Sequence, residues 1–273
     1  MTDPSEHPTL DAPPDEPATD RWIHLEGVVN MRDSGGLPTR DGGVIQPRRL
    51  LRSDNLQDLS EADVREVVDV LGVSDIVDLR SDTEVSTEGP GPLWAVESLT
   101  HHHHSLFGDG RAVTAEQALA MPEHSRRPTR DAQFWSEHYL GYLATRPDSI
   151  SAALDVVSRS TGATVIHCAA GKDRTGTVVA LALDAVGVPH DAIVEDYALT
   201  GERIERIIAR LMPRDLYGTA LRQQSVDDQR PRPETMRTIL DTVRDEFGGA
   251  RGWLRDQGWT DTDIDRLRQR LTS

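Results

Sequence analysis

The sequence is poor in cysteine, in aromatic residues and in long apolar stretches. A single cysteine among 273 residues excludes an intrachain disulfide, and a lone thiol is typical of a reducing compartment. We therefore expect a cytoplasmic protein. No basic segment followed by an apolar one begins the chain, so export would have to use a route without a classical signal peptide. No window of about 18 consecutive apolar residues occurs, so we expect no membrane-spanning helix.

Positive charge is also in deficit. The chain has 46 acidic residues against 30 Lys and Arg, which gives a formal net charge of −16. Such a charge repels polyanions, so we expect no nucleic-acid partner, and nothing in the pattern favours stable insertion into a membrane. If the substrate is an anion, the protein needs a local positive site to hold it.

The pattern of segments predicts an α/β fold. Residues 1–20 are rich in Pro, Asp, Glu and Thr and are predicted to be a disordered tail, while residues 21–273 are predicted to form a single domain. Short β-branched runs alternate with helical patterns, which favours a central, mostly parallel sheet flanked by helices. The predicted strands are 22–29, 49–53, 73–79, 93–99 and 163–166, and a hairpin is predicted over 37–52.

One segment, residues 163–176, carries the chemistry. It reads as a buried strand, then a tight loop that begins at Cys168, then the start of a helix. Such a loop turns successive backbone N–H groups toward one point and makes an anion site. A helix N-terminus and a nearby arginine both favour the thiolate, which is the nucleophilic form of cysteine. Arg174 is six positions beyond Cys168 and can hold two oxygens of a phosphate with its planar fork.

These parts predict a cysteine-dependent phosphomonoesterase that works through a cysteinyl-phosphate intermediate. In this interpretation Cys168 is the nucleophile and Thr175 assists it as a leaving group. The loop residues that would bind the phosphate of the substrate are Ala169, Ala170, Gly171, Lys172 and Thr175. Two alternatives are a catalytically inactive phosphate-binding module and a sulfurtransferase, which also uses a cysteine at a strand end.

The segment matches the signature His-Cys-x5-Arg-Ser/Thr-Gly, and further motifs accompany it. They are Asn30-x-Arg32-Asp33-x-Gly35-Gly36, Arg49-x-x-Arg52-Ser53, Asp78-Leu79-Arg80-Ser81-x-x-Glu84-Val85 and Asp196-Tyr197. Together they resemble a bacterial branch of the protein tyrosine phosphatase family, over roughly residues 22–272. The resemblance implies a parallel sheet with the cysteine loop at the carboxyl ends of its strands. It also implies lid helices around residues 200–230.

The acid that protonates the leaving group has two candidates. Asp173 lies inside the loop beside Arg174, and the alternative for it is a structural hydrogen bond that holds the loop. Asp109 aligns, by the resemblance, with an acid candidate near the active site of the family, and the alternative for it is a solvated acid on a loop. Asp78 and Asp82, which flank a strand end near the site, are weaker candidates. Asp78 and Arg80 are expected to brace the sheet or to pair with Asp33 and Arg32.

The substrate stays open among phosphotyrosine, phosphoserine or phosphothreonine, and phosphoinositides. Lys172 adds positive charge to the loop, and a lysine at this position resembles phosphatases that act on phosphoinositides; the alternative is a lysine that faces solvent. No cofactor is expected, and no metal either. The run His101–His104 would point its rings to alternate sides of a strand, which makes a poor cage for one ion.

Overall fold

The computed structural model describes residues 21–107 and 131–273. The predicted tail and the candidate acid Asp109 lie outside the described residues. The strands are β1 (Arg32–Asp33), β2 (Leu50–Ser53), β3 (Val73–Asp78), β4 (Thr100–His103) and β5 (Ala163–His167). They form one sheet in the order β1-β2-β5-β3-β4, in which only β1 runs antiparallel to its neighbour.

Helices cover both faces of this sheet. They are α1 (Glu61–Arg65), α2 (Asp82–Glu88), α3 (Ala132–Thr145), α4 (Pro147–Arg159), α5 (Asp173–Ala185), α6 (His190–Ala198), α7 (Ile204–Leu211), α8 (Asp215–Leu221), α9 (Val226–Gln229), α10 (Pro233–Phe247), α11 (Ala250–Asp256) and α12 (Asp261–Leu271). The prediction of a mostly parallel sheet flanked by helices is therefore confirmed. Within the described residues, no helix combines the length and the apolar character needed to cross a membrane.

Alternation along the central strands divides the core into two parts. Val77 and Ile166 face a large cluster built mainly by α3–α6 and α10–α12. Ile76 and Val165 face a smaller cluster on the other side of the sheet. Since successive side chains of a strand point to opposite faces, β3 and β5 are buried on both sides, as the continuous apolar run at 163–166 predicts.

Several helix ends follow directly from local sequence. Ser60 caps α1 with its side chain and exchanges reciprocal bonds with Asp63, which is a capping box. Helical structure continues as a π-turn over Glu66–Val70 and ends before Gly72, which has a φ of +64°. Left-handed backbone of this kind favours glycine.

The predicted strand over 22–29 is wrong, because carboxylate side chains take the backbone groups that a sheet would use. Asp63 accepts from the amides of Glu26 and Gly27. Asp54 accepts from the amides of Val29 and residue 30 in the same way. Only Trp22 makes an isolated bridge, with a residue of β1.

Two other local predictions need correction. The hairpin is confined to residues 37–45, where Ile45 donates its amide to the carbonyl of Leu37; residues 50–53 instead join β1 and β5. The segment 93–99 is not a strand, since it begins with a 3-10 turn over Pro92–Ala95. Proline at the first position of that turn supplies the φ value the turn needs.

Candidate active site

The loop that follows β5 lies against the end of β2. All five residues of Ala163–His167 are buried, and the chain turns at Cys168 and enters α5 at Asp173. Gly171 has a φ of +65°, and a Cβ atom there would lie 2.4 Å from the carbonyl oxygen of Ser53. Only glycine lets the loop approach β2 this closely.

Polar side chains hold the loop from behind. Asn30 donates its amide Nδ2 to the carbonyls of Ala170 and Gly171, at 2.9 and 3.2 Å. Arg52 donates Nη2 to the same Gly171 carbonyl at 3.0 Å. Because the carbonyl and the N–H of a trans peptide point in opposite directions, these bonds turn the amides of the two following residues toward the opposite side. The arrangement fits an anion cradle.

Asp196 fixes the groups that brace the loop. It is 1% exposed and accepts from Arg21 at 2.7 Å, from Arg32 at 3.3 Å and from Arg52 at 2.8 Å. Arg32 in turn donates to Asn30 Oδ1 at 2.8 Å. Burial opposes ionisation of the carboxyl, but the surrounding arginines hold the pKa of Asp196 well below its ordinary value.

Arg174 is oriented by a buried carboxylate. Its Nη1 and Nη2 donate to Glu84 Oε2 and Oε1, at 2.5 and 2.9 Å, and Tyr217 donates to Oε1 at 2.9 Å. The Arg174 guanidinium lies 4.9 Å from the centre of the Phe107 ring. Glu84 is fully buried and is held by the amide of Ser81 at the start of α2. The plane of the guanidinium is therefore set by a bidentate pair, which a lysine cannot reproduce.

Cys168 is 2% exposed, and helices α7 and α8 lie over its loop. A third apolar cluster joins the loop residue Ala169 to both helices; its buried members are Ala169, Ile204, Ile207, Leu211, Tyr217, Ala220 and Leu221. The described residues thus show the thiol buried, with α7 and α8 as a cover packed against its loop.

Asp173 is buried at the first position of α5. The hydroxyl of Tyr139 donates to its Oδ1, and Lys172 Nζ lies 3.4 Å from the same oxygen. Tyr139 also bonds the hydroxyl of Tyr197 at 2.9 Å. Asp173 is therefore held by a hydrogen bond from a buried phenol, which is compatible with either role considered from the sequence, and its role as the acid stays a prediction.

Lys172 does not face solvent, so that alternative is wrong. The residue is 1% exposed, and its Nζ donates to the backbone carbonyl of Gln229 at 2.8 Å and lies over the Trp135 ring at 4.5 Å. Thr175 is fully buried, and its Oγ1 has no hydrogen-bond partner among the described residues. This is compatible with the predicted bond from Thr175 to the thiolate, which stays a prediction.

Asp78 and Arg80 pair with each other rather than with Asp33 and Arg32. Their closest N–O distance is 2.6 Å, and His167 lies 3.7 Å from Asp78. The predicted pairing is wrong because Arg32 is engaged by Asp196 and Asp33 accepts from backbone amides. Despite burial, the nearby cations hold the pKa of Asp78 well below its ordinary value.

The histidines of β4 each have a different partner. His101 contacts the Leu93 carbonyl at 3.2 Å, His102 contacts Asp75 at 2.8 Å, and His103 contacts the Arg80 carbonyl at 2.7 Å. In the part of the chain that the structure describes, no three His, Cys, Asp or Glu side chains converge on a point.

Sequence reasoning assigned no role to several residues of the site: Asn30, Arg52, Glu84, Tyr139 and Asp196. Four of these, all but Tyr139, lie in the polar motifs that accompany the loop, which marks them without saying what they contact. Glu84 stands three residues after Ser81, and the capping box between them gives it a local role that does not reveal its pairing with Arg174. Tyr139 looks like an ordinary core aromatic on an amphipathic helix.

Comparisons with known proteins show the family of the chain. A model of the tyrosine phosphatase family matches residues 23–273. The chain is 30% identical to the triple specificity protein phosphatase PtpB of Mycobacterium tuberculosis, covering 89% of this chain and 96% of that protein. It is 27% identical to a tyrosine-protein phosphatase of Nostoc commune, over 81% and 73% of the two chains. The crystal structure of P. aeruginosa TpbA, at 16% identity, covers 69% of this chain and 88% of its own, with a TM-score of 0.28, too low to carry an argument.

Proposed function

The chain belongs to the tyrosine phosphatase family, and from that premise we propose that it hydrolyses phosphotyrosine in proteins through a phosphorylated Cys168. The observation that carries the proposal is the loop at the end of β5. This loop brings together the buried thiol of Cys168, backbone groups held by Asn30, and Arg174, whose guanidinium is oriented by a bidentate pair with Glu84.

In the first half-reaction the Cys168 thiolate attacks phosphorus, an S–P bond forms and the bond from phosphorus to the tyrosine oxygen breaks. The amides of the loop and Arg174 hold the equatorial oxygens of the phosphoryl group, whose charge is spread over them in the transition state. In the second, water attacks phosphorus, the S–P bond breaks, and inorganic phosphate leaves. Thr175 supports this step, because its Oγ1 has no hydrogen-bond partner among the described residues and can donate to the departing sulfur.

A wider specificity is the second candidate. The relative from Mycobacterium tuberculosis carries the name triple specificity protein phosphatase, which supports activity on more than one phosphate ester. Phosphoinositides belong among these candidates because Lys172 adds charge beside the cradle. Because Nζ of Lys172 donates to Gln229, we expect Lys172 to act on the substrate through its charge and not through a direct hydrogen bond.

The cover formed by α7 and α8 is a further part of the proposal. These helices, within the segment 200–230 of a single domain that spans 21–273, act as a lid that must open for substrate. Arg210 of α7 supports this view, because it reaches Asp54 and Asp58 of the body. We also propose a cytoplasmic location, since a catalytic thiol needs a reducing compartment.

The test is hydrolysis of a phosphotyrosine peptide and of a phosphoinositide, side by side, by the wild type and by Cys168→Ser. We expect the wild type to release phosphate and the variant to lose activity while still binding the peptide. Rapid acid quench should leave a phosphoryl group on Cys168 of the wild type. Phosphate binding without turnover would make the chain a binding module, and sulfur transfer from thiosulfate would make it a sulfurtransferase.

A further inference from the structure

Helix α3 places a buried phenol against the first residue of α5. Tyr139 has no exposed surface; its hydroxyl donates to Asp173 Oδ1 and lies 2.9 Å from the hydroxyl of Tyr197. Tyr197 is 2% exposed. Helices α3, α5 and α6 thus meet in a row of three polar groups inside the largest apolar cluster of the protein.

The order of protons along this row follows from the chemistry of the groups. A phenol has one proton to donate, and that of Tyr139 goes to Asp173, so Tyr197 must donate to Tyr139. Burial, reinforced by the charge of Asp173, raises the pKa of both phenols above the ordinary value. Both hydroxyls therefore stay protonated, and the row runs from Tyr197 through Tyr139 to Asp173 at every working pH.

The two oxygens of Asp173 are consequently unequal. Oδ1 takes the Tyr139 hydrogen bond and lies 3.4 Å from Lys172 Nζ. No hydrogen bond from residues 21–107 or 131–273 reaches Oδ2. A carboxyl oxygen that already accepts a strong hydrogen bond is the poorer place for the acid proton, so a protonated Asp173 carries its proton on Oδ2.

We propose that Tyr139 is a positioning residue for the phosphatase reaction, and that it orients Asp173 so that Oδ2 delivers the proton to the leaving group. The inference rests on the proposed function and deepens it. As the bond from phosphorus to the ester oxygen breaks, its electron pair stays on that oxygen, which takes the proton from Oδ2. The Asp173 carboxylate that remains is stabilised by Tyr139 and Lys172. In the second half-reaction the attacking water returns a proton to Oδ2.

A purely structural role for Tyr139 makes a different prediction. If its bond to Asp173 only holds the loop, Tyr139→Phe slows every substrate by the same factor. If Tyr139 positions an acid, the loss depends on how much the leaving group needs a proton. A good leaving group such as dinitrophenol departs as the anion, whereas unsubstituted phenol needs general-acid assistance, which contributes about 10²- to 10⁴-fold.

The experiment measures kcat/KM for a series of aryl phosphates, from dinitrophenyl to phenyl phosphate, with the full chain. In the wild type we expect little dependence on the leaving group. Tyr139→Phe should lose about 10- to 100-fold on phenyl phosphate and less than about threefold on dinitrophenyl phosphate. Asp173→Asn should show the same pattern more strongly, because it removes the acid itself.

Two further variants complete the design. Tyr142→Phe is the matched control, since Tyr142 is buried on the same helix but its hydroxyl bonds His138 at 2.7 Å; its effect should be the same for all leaving groups. Tyr197→Phe keeps the bond from Tyr139 to Asp173 and should show a weaker form of the Tyr139→Phe pattern. It also keeps the inference testable if Tyr139→Phe does not fold.

Three outcomes overturn the inference in distinguishable ways. A uniform loss across the series in Tyr139→Phe and Tyr197→Phe would assign the row a structural role. A flat response in Asp173→Asn, with an active wild type, would remove Asp173 as the acid and leave the phosphatase function standing. No hydrolysis of any ester by the wild type would overturn the proposed function together with the inference.

Discussion

The buried carboxylate of Asp196 offers the sharpest test of how the loop is held. Replacing it in Asp196→Asn preserves the shape of the side chain and removes its charge. The guanidinium groups of Arg32 and Arg52, whose side chains are 0% and 2% exposed, then lose the anion that compensates them. Asparagine can still accept hydrogen bonds, so the variant isolates charge from shape.

The size of the effect follows from burial. Breaking a buried ion pair by neutralising one partner costs about 3–5 kcal/mol, because the remaining charge stays out of water without compensation. Two guanidiniums share this loss in Asp196→Asn, so we expect the free energy of unfolding to fall by at least about 3 kcal/mol. Since Arg52 and Asn30 hold the loop carbonyls, kcat/KM should also fall by about tenfold or more.

Urea unfolding and steady-state kinetics measure both effects. Asp155→Asn is the matched control, because Asp155 pairs with Arg159 one helical turn away and both side chains are largely exposed. That exposed pair should contribute far less to the free energy of unfolding than the buried cluster does. Because the cluster is buried, the loss in Asp196→Asn should be the same at low and high salt. A loss below about 1 kcal/mol, or one that salt abolishes, would refute the reasoning.

Two other predictions concern pH and the lid. Burial lowers the pKa of His138 and of His167, each to about 4, so the unfolded chain binds protons that the folded chain does not between about pH 6.5 and 4. The free energy of unfolding therefore has its full value above this pH range. It falls by up to about 3 kcal/mol per histidine as the pH drops through the range. In urea unfolding, the free energy of unfolding of His138→Gln should fall less between about pH 6.5 and 4 than that of His24→Gln, a substitution at an exposed histidine. Equal falls in the two variants would contradict this prediction. Arg210→Ala, which breaks the contacts of α7 with Asp54 and Asp58, should speed hydrogen exchange in α7 about 5- to 30-fold. A rate unchanged by the substitution would show that Arg210 does not hold the proposed lid.

The local features of this protein could be predicted from the sequence because they depend on neighbouring residues. The run 163–176 contains its own strand, turn and helix start, so spacing alone places Cys168 beneath the N-terminus of α5. Capping at Ser60 and the left-handed backbone at Gly72 are likewise properties of a few adjacent residues. For these segments local preference and tertiary packing favour the same conformation.

Errors arose where distant groups compete for the backbone. The segment 22–29 has strand-like residues, but Asp63 and Asp54 take its amides, and no local pattern reveals a carboxylate some 30 positions away in sequence. The pair formed by Asp78 and Arg80 was missed for a related reason, since the predicted partners were already engaged elsewhere in the fold.

What the sequence by itself determined is the kind of chemistry: a thiol, an arginine and a phosphate-sized loop between a strand and a helix. Only the tertiary structure decided which groups orient them. Glu84 meets Arg174 and Tyr139 meets Asp173 across 90 and 34 positions of chain. These pairs form because the sheet order sets β5 beside β3, and because α3 packs against α5 and α6. A side chain has many possible distant partners, and the packing of whole elements selects one.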